Sequence, residues 1–546
     1  MTDQLAGRTD PTSGDPVTVA APPRPSAASA PAPAGDWTPR QRGILAGIVV
    51  VLFATWTTYA WARHAKYETT GFDLGIFDQV VRAYAHLHAP TSPLKGIGYN
   101  ILGDHFHPIL VLLAPLYWIW DDPRVLLTTQ AALFAVSAVP VAAFVRRRFG
   151  PIPGLVMAFA YGASWPIERA VHFDFHEIAF AVPLIALLVD ALDRRAHRTV
   201  VACCLLLLLV REDMGALVLL VGLLIVVRGV RRGPDRRLAL RRPVLLLGGG
   251  LVALGPVGYW LATSVIIPGF GPAGFAYWTF PALGPDPAGA LRTVLLHPFR
   301  VARLMVTPAV KFHTLVSIFY PTGFLALFSP YGVLTVPFLA ERMLNERKFL
   351  WETNFHYTSV IAPIVVMAAA DTAGRLRRRF PRVLVTRRVR RPAVGLVPVF
   401  GLVPVFVAWS VGVVAFQLAV GAPDYPVSGL WTGRVWGRDA RWHAVHDVLP
   451  LIPPGQCVEA DNQIAPQLTP RDYVTRVASR QVPGSNGLAT WVVLDLKRAD
   501  TGWQGDPPRL ALATAQRRGY AVVWQRASIV LLHKDRPIAG LCRGLF

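Results

Sequence analysis

Long apolar runs, separated by short polar segments, occupy most of the chain between residues 43 and 420. A helix needs about 20 mostly apolar residues to cross the hydrocarbon core of a bilayer. The pattern therefore predicts an all-α polytopic membrane domain with about eleven transmembrane helices. The predicted spans are 43–61, 124–145, 151–167, 177–192, 199–211, 213–228, 243–266, 312–328, 331–345, 356–373 and 393–420.

Arginine clusters between these runs predict the orientation of the chain. They lie at 146–148, 194–198, 228–242 and 375–391. Cytoplasmic loops carry an excess of Lys and Arg, so all four clusters are expected on the cytoplasmic side. The short runs 199–211 and 213–228 must then be two separate crossings, with the N-terminus of the chain inside and its C-terminus outside.

The two ends of the chain differ from the apolar middle. Residues 1–40 are rich in Pro, Ala and Ser and predict a disordered cytoplasmic tail. The transmembrane domain covers 41–420 and includes a long outer loop at 63–123. The terminal segment 421–546 is less apolar, and its strand-like runs at 491–496 and 520–534 predict a small extracytoplasmic α/β domain.

Composition agrees with this architecture and excludes a soluble globular protein and a nucleic-acid-binding protein. Charged residues make up only 16% of the chain, against roughly 25% in soluble globular proteins. The net charge of +22 comes from Arg clusters between apolar runs, without a basic domain that would bind nucleic acid. Cys457 and Cys542 both fall in the predicted outer domain, where an oxidising compartment favours a disulfide between them.

Ionisable side chains gather in the segments that this topology places outside the membrane. Such groups are costly at membrane depth and tend to line cavities or functional sites. We expect Asp73, Asp104, His172, Asp174, His176, Glu212 and His356 to converge on one outer cavity. The further candidates for contact with a substrate are Asp78, His105, Arg211, Asp213, Lys311 and Tyr357.

The segment 172–177 carries a candidate metal site. If the segment were extended, His172, Asp174 and His176 would share one face, and Glu177 follows directly. Imidazole and carboxylate groups together suit a divalent cation, which makes such a cation a candidate cofactor. A polar turn between two spans is the alternative, because aromatic residues of the kind found at the membrane interface interleave the segment.

The other motifs also have a purely structural alternative. Asp73 has the residue type that caps helix N-termini. Glu212 and Asp213 fit the tip of a hairpin between two spans. His356 and Tyr357, at the start of a span, fit an interfacial anchor.

Taken together, the motifs at 72–79, 104–108, 172–177, 212–213 and 356–357 resemble an uncharacterised bacterial membrane-protein family, domain of unknown function 2079. The resemblance covers approximately residues 44–535. The layout is similar to that of the GT-C superfamily of membrane glycosyltransferases. In those enzymes an acidic residue in the first outer loop lies at the active site, and Asp73 matches that position. The resemblance therefore implies a catalytic role for Asp73.

The chemistry expected of such an enzyme assigns roles to the remaining candidates. A carboxylate must take a proton from the acceptor hydroxyl, and Asp73 is the candidate for it. Cationic groups must stabilise the departing phosphate, and Arg211, Lys311 and His356 are the candidates for them. The expected partners are the lipid bilayer, a polyprenyl-phosphate sugar and an envelope acceptor, at the outer face of the plasma membrane.

Two other functions fit the same pattern. A transporter or flippase of a lipid-linked or anionic substrate would show broken helices and charged groups near the bilayer midplane. A non-catalytic envelope assembly protein would not need ionisable groups that converge on one side of the membrane.

Overall fold

The computed structural model describes residues 36–232, 238–240, 242–271, 275–379, 426–477, 488–497 and 507–535. Helices dominate this part of the chain. They are α1 (Pro39–Ala65), α2 (Ile76–Ala85), α3 (Ala114–Ile119), α4 (Arg124–Phe149), α5 (Pro151–Gly162), α6 (Trp165–His172), α7 (Ala181–Arg194), α8 (His197–Leu208), α9 (Met214–Gly229), α10 (Arg242–Leu261), α11 (Ile267–Phe270), α12 (Pro287–Leu296), α13 (Pro298–Val306), α14 (Ala309–Phe319), α15 (Val336–Leu344), α16 (Ala362–Arg379), α17 (Gly429–Thr432), α18 (Ala440–Val448) and α19 (Pro508–Arg517).

Four helical segments in the described ranges are long and apolar enough to cross a membrane. They are Pro39–Ala65, Arg124–Phe149, Arg242–Phe270 and His356–Arg379. A fifth would be the pair α13 and α14, which is bent by 81°. The expected number of about eleven spans is thus not confirmed. The predicted span 393–420 lies outside the described residues.

The apolar segments between these long helices are shorter than the sequence pattern suggests. α5 and α8 have 12 residues each, and α9 has 16. A helix rises 1.5 Å per residue, so pieces of this length fall short of a core about 30 Å thick. α8 and α9 are two separate helices, and the two membrane crossings that the flanking Arg clusters predict stay a prediction.

The predicted spans 312–328 and 331–345 are wrong as continuous helices. α14 ends at Phe319, and short 3₁₀ turns carry the chain to α15. Pro321 and Pro330 lie in this stretch, and Gly323 has a φ of +56°. Proline removes a backbone donor and collides with the preceding turn, so an apolar run that contains it need not be one helix.

The C-terminal part of the chain, predicted to lie outside the membrane and called the outer domain for that reason, holds a five-stranded mixed sheet. The strands are β3 (Cys457–Ala460), β4 (Tyr473–Arg476), β5 (Trp491–Asp495), β6 (Ala521–Arg526) and β7 (Ile529–His533), in the order β4-β3-β5-β7-β6. β3 runs parallel to β4 and to β5, whereas β7 is antiparallel to both of its neighbours. The strand-like runs of the sequence match β5 and the β6–β7 hairpin. A two-stranded ribbon, β1 (Val230–Arg232) with β2 (Leu238–Leu240), joins α9 to α10.

This outer domain packs against the first outer loop. One hydrophobic core extends from Trp56 in α1 to Ile464 after β3. Arg82 donates to the carbonyl of Thr469 at 2.8 Å, and Gln79 donates to that of Val474 at 2.8 Å. The domain is therefore fixed next to the loop that carries Asp73.

Candidate active site

A cavity of about 1290 Å³ brings most of the predicted site residues together. Segments far apart in the sequence line it, including the first outer loop, α9, α10, α15 and the outer domain. The predicted residues on its wall are Asp73, Asp104, His105, His176, Glu177, Arg211, Glu212, Asp213, His356 and Tyr357. Asp78, His172, Asp174 and Lys311 are not among its lining residues.

Asp73 lies in a strained turn at Gly71–Gly75. Its φ of 85° and ψ of −83° are close to those of the classic γ-turn, which is rare for a residue with a side chain. Its carboxylate is 22% exposed and lies 3.5 Å from Nε2 of His176. The next helix, α2, has Gly75 as its N-cap, so Asp73 does not cap it. Strained backbone of this kind clusters at functional sites.

His176 and Glu177 continue the site from Asp73. Nδ1 of His176 lies 2.6 Å from Oε2 of Glu177, at an angle that suits an ion pair rather than a hydrogen bond. Burial alone would lower the pKa of His176, but the Glu177 carboxylate and the contact with Asp73 raise it to about 10. An imidazolium therefore stands between two carboxylates at neutral pH.

Arg211 is surrounded by carboxylates. It pairs with Asp213, lies 3.4 Å from Oε1 of Glu341 and 3.7 Å from Oε1 of Glu177. Its charge is thus already matched by protein groups. The sequence predicts Arg211 as a cation for a phosphate; the residue lines the cavity, and this role stays a prediction.

A second polar cluster holds the other side of the first outer loop. His105 Nδ1 lies 2.7 Å from Oε1 of Glu212, and its ring stacks on Tyr277 at 3.9 Å between centroids. The Tyr277 hydroxyl donates to Asp104 at 2.7 Å, and Lys95 lies 2.8 Å from the same carboxyl group. These contacts join the outer loop to the turn before α9 and to the segment after α11.

Electrostatics in this cluster favours charged side chains. Burial lowers the pKa of His105, but the charge of Glu212 outweighs it, and the pKa lies above its ordinary value. Burial raises the pKa of Asp104, but the positive charges of His105 and Lys95 bring it below its ordinary value.

His356 has no partner for either ring nitrogen in the described part of the chain. The side chain is only 3% exposed, lines the cavity, and contacts His176 with ring centroids 3.8 Å apart and ring planes tilted by 31°. Leaving a buried polar group without a hydrogen bond costs about 1–3 kcal/mol. Such a group is suited to a bound ligand that supplies the missing partner.

Arg347 is a functional candidate that the sequence analysis missed. Its guanidinium lies 4.7 Å from the centre of the Tyr277 ring and faces the same cavity. Within the described ranges no carboxylate forms an ion pair with it. Arg347 lies two residues after the predicted span 331–345, and nothing in its local pattern separates it from an ordinary membrane-flanking arginine.

Glu341 and Asn462 were also missed, although both line the cavity. A signal existed for Glu341, because an acidic residue inside a predicted span is by default a candidate functional group. No local signal distinguishes Asn462, which lies in the outer domain.

Two predicted substrate contacts lie elsewhere. Asp78 is fully buried, accepts from Arg82 at 2.7 and 3.0 Å, and accepts from the Tyr117 hydroxyl at 2.8 Å. Lys311 is also buried, donates to the carbonyl of Leu304 at 2.9 Å, and lies over the Trp351 ring. Both side chains contribute to packing, since protein groups occupy their polar atoms.

The segment 172–177 is not extended, so its alternating residues do not share a face. His172 ends α6 and is hydrogen-bonded to the Tyr59 hydroxyl at 2.7 Å. Asp174 has a φ of 65° and pairs with Arg63 at 2.9 Å. In the described residues, no group of three or more His, Cys, Asp or Glu is placed to hold a metal ion. These four residues therefore do not fit the cation site, and a divalent cation remains a prediction from the sequence.

Of the two cysteines in the predicted disulfide, Cys457 lies within the described residues. Cys457 is buried at the start of β3 and is disulfide-bonded. Cys542 lies outside the described residues, so the pairing of these two cysteines stays a prediction.

Comparisons with known proteins agree with this fold. The crystal structure of ArnT from Cupriavidus metallidurans, bound to undecaprenyl phosphate, matches with a TM-score of 0.50 over 91% of this chain and 99% of ArnT. The sequences are 14% identical, so the likeness concerns the fold. This likeness in fold agrees with the GT-C-like layout expected from the sequence. No curated protein matches the sequence.

A family model provides the remaining comparison. It matches residues 63–531, which is most of the chain and includes both the candidate site and the outer domain. The chain belongs to the family described as predicted membrane protein DUF2079.

Proposed function

We propose that this protein is a membrane glycosyltransferase that transfers a sugar from a polyprenyl-phosphate donor to an acceptor in the cell envelope, at the outer face of the plasma membrane. The observation that carries the proposal is the strained Asp73, which faces His176 in a cavity of about 1290 Å³. The GT-C-like fold supports it, because ArnT was crystallised with a polyprenyl phosphate.

The reaction requires one bond to form and one to break. The acceptor hydroxyl oxygen attacks the anomeric carbon of the sugar while the bond from that carbon to the phosphate oxygen breaks. Asp73 takes the hydroxyl proton, and the polyprenyl phosphate leaves as an anion. The imidazolium of His176 holds the Asp73 carboxylate by charge and orients it toward the acceptor.

The cavity combines these ionisable groups with an apolar wall. Leu219, Trp260, Leu283 and Phe338 are among its lining residues. Binding sites for amphiphilic ligands combine mostly apolar walls with a few placed polar groups. The apolar part suits the first isoprene units of the donor, with its phosphate toward the polar part.

Arg347 is the best candidate to bind that phosphate. Arginine presents several donors in a planar fork that matches phosphate oxygens. Arg211 has three carboxylate neighbours, and Lys95 is paired with Asp104. In contrast, Arg347 faces the cavity on a Tyr277 ring with its charge unmatched by a carboxylate in the described chain.

Replacement of Asp73 by Asn tests the proposal. Asn keeps the size of the side chain but removes the base, so sugar transfer should fall by roughly 100-fold or more while the protein still folds. The assay is transfer from labelled polyprenyl-phosphate sugars by the purified protein in detergent or liposomes. Asp121→Asn is the matched control, because Asp121 lies in the same outer loop, is 43% exposed and does not line the cavity. Full transfer by Asp73→Asn would contradict the assignment.

One observation favours the alternative of a transporter or flippase. α13 and α14 are bent by 81° at their junction, and broken helices of this kind line transport sites. A flippase would move a fluorescent polyprenyl phosphate across liposome membranes. Neither the wild type nor Asp73→Asn would then transfer sugar. Lipid movement without sugar transfer by the wild type would favour this alternative.

A further inference from the structure

The outer domain reaches into the candidate site through one residue. The Asn462 side chain accepts, through Oδ1, a hydrogen bond of 2.8 Å from the backbone nitrogen of Phe72. The Asn462 carbonyl accepts a second, of 2.5 Å, from the nitrogen of Gly71. Asn462 also lines the cavity. Two successive backbone donors directly before Asp73 are therefore held by one residue almost 400 positions later in the chain.

The sheet of the outer domain fixes Asn462 itself. Asn462 follows the carboxyl end of β3, whose two parallel neighbours lie on opposite sides of it. The preceding residue, Asp461, donates its backbone N–H to the carbonyl of Val493 in β5 at 2.9 Å. In open sheets of this kind, the loop at such a point is the usual place for contacts with a ligand or partner segment.

Close packing supports the same contact. A Cβ atom at Gly71 would lie 2.8 Å from Cβ of Ala465, so a residue with a side chain could not approach the outer domain this closely. On the other flank of the turn, the backbone nitrogen and the hydroxyl of Thr70 each donate a hydrogen bond of 2.8 Å to the Asp174 carboxylate. The membrane bundle thus holds the turn at Thr70, and the outer domain holds it at Gly71 and Phe72.

We infer that Asn462 is a positioning residue, through which the outer domain holds the strained turn that directs the Asp73 carboxylate toward His176. A backbone with the φ and ψ of Asp73 persists only where its surroundings enforce it. Loss of the Asn462 acceptor lets the turn relax and moves Asp73 from its place. The inference rests on the proposed function, since it assigns a purpose to the geometry of that catalytic group.

Three substitutions test the inference in the full-length protein. Asn462→Leu keeps the approximate volume of the side chain and removes its acceptor oxygen. Asn462→Ala also removes that oxygen and leaves a smaller side chain. Asn462→Asp keeps an acceptor oxygen. Trp442→Phe is the matched control, because it removes another hydrogen bond of the outer domain, from the Trp442 indole to the Ala65 carbonyl at 2.9 Å, at a residue that does not line the cavity.

Two measurements give the expected result. In sugar transfer, Asn462→Leu and Asn462→Ala should lower kcat by roughly 10- to 100-fold with little change in KM, as a displaced catalytic group does. In hydrogen exchange, the Phe72 amide should exchange faster in both variants. Asn462→Asp should protect that amide and retain more of kcat than Asn462→Leu, and Trp442→Phe should match the wild type in both measurements.

Several results would overturn the inference. Unchanged kcat or unchanged Phe72 exchange in both acceptor-free variants would do so. So would a loss of kcat in Asn462→Asp as large as in Asn462→Leu while the Phe72 amide stays protected. A wild-type protein that transfers no sugar would instead refute the proposed function, and Phe72 exchange alone would then decide whether Asn462 holds the turn.

Discussion

At the scale of single residues, the two neighbouring histidines of the cavity, His176 and His356, differ in their surroundings. His176 stands between Asp73 and Glu177, whereas neither nitrogen of His356 meets a partner in the described chain. Their rings lie 3.8 Å apart. The first histidine is therefore held by protein charges, and the second is open to a ligand.

We predict that Glu177→Gln changes the pH dependence of both activity and stability. Glu177 is the main group that raises the pKa of His176 from 6.5 to about 10. A group whose pKa is raised on folding adds stability that is complete below its unfolded value and is lost as pH rises through the folded value. Wild-type thermal stability should therefore decline between about pH 6.5 and 10.

In Glu177→Gln that decline should be smaller, and the alkaline limb of the rate should move to lower pH. Melting curves and rate profiles across this range measure both effects. The groups that face His176 are Asp73, Glu177 and His356, with Arg211 beyond Glu177, and none of the other three is altered. Profiles identical to the wild type would show that Glu177 does not control His176.

We predict that His356→Phe separates folding from binding. Phe has a similar ring and removes two buried polar atoms that lack partners, so the melting temperature should stay the same or rise. The same change should weaken substrate binding and raise KM, if the imidazole bonds to the ligand. His297→Phe is the control, because His297 does not line the cavity. Lower stability together with normal KM would assign His356 to packing.

Residue types identified much of this site from the sequence but not all of it. Charged residues and histidines in outer segments are conspicuous, and Asp73, His176, Glu212 and His356 do meet at the cavity. Asn462 and Arg347 were missed because their roles come from contacts between distant segments. Asp78 was misplaced because Arg82, one helical turn later, neutralises it within the protein.

At the scale of helices, α9 and α10 pack more closely than any side chain would allow. An added Cβ at Gly222 would lie 2.6 Å from the carbonyl oxygen of Gly248, and one at Gly255 would lie 2.3 Å from that of Gly215. Small residues let helix backbones approach in this way within membranes. The pair forms one wall of the cavity, with Gly215 and Leu219 on α9 and Pro256 on α10.

We predict that Gly222→Ala destabilises this pair by about 1–3 kcal/mol, the usual cost of overpacking. The added methyl group would collide with two backbone atoms of α10, and backbone cannot yield as a flexible side chain does. Thermal unfolding in detergent measures the effect. Gly250→Ala is the matched control on the partner helix, since nothing lies within 4 Å of its added Cβ. Equal melting temperatures for the two variants would contradict the close packing.

A hydrophobic run of full span length without an internal proline predicted its helix well, as in α1. The fragmentation after α14 was not predictable from hydropathy, because Pro and Gly within an apolar run leave its average almost unchanged. Strands of the outer domain were recognisable at β5 and at the β6–β7 hairpin. Their order in the sheet was not, because parallel pairing joins segments that are distant in sequence.

At the scale of the whole molecule, described Arg residues of three clusters meet at one end of the helix bundle. Arg148 lies 3.1 Å from Asp371, which also pairs with Arg375. Arg147 pairs with Asp190, which also pairs with Arg194. Clusters that are distant in the sequence thus share two acidic partners, as expected if they face one compartment.

The candidate site lies at the other end of the same helices. The Trp61 indole, near the end of α1, donates to Thr128 in the first turns of α4, and α4 carries Arg147 and Arg148 at its far end. A helix of 26 residues at 1.5 Å per residue spans about 39 Å, enough to cross the membrane. Asp73 follows α1 closely, so it and the Arg clusters are separated by the length of the bundle.

We predict that the Arg end is cytoplasmic and that the site and the outer domain face the outside, because basic loops are retained in the cytoplasm. Reporter fusions after residue 235 and after residue 480 measure this directly. A reporter active only in the cytoplasm should work at the first position, and one active only outside should work at the second. This outcome requires an odd number of crossings between the two fusion points. The same compartment for both would require an even number and would contradict the orientation, because the outer domain contacts the Asp73 turn at the end of the bundle opposite to the Arg residues.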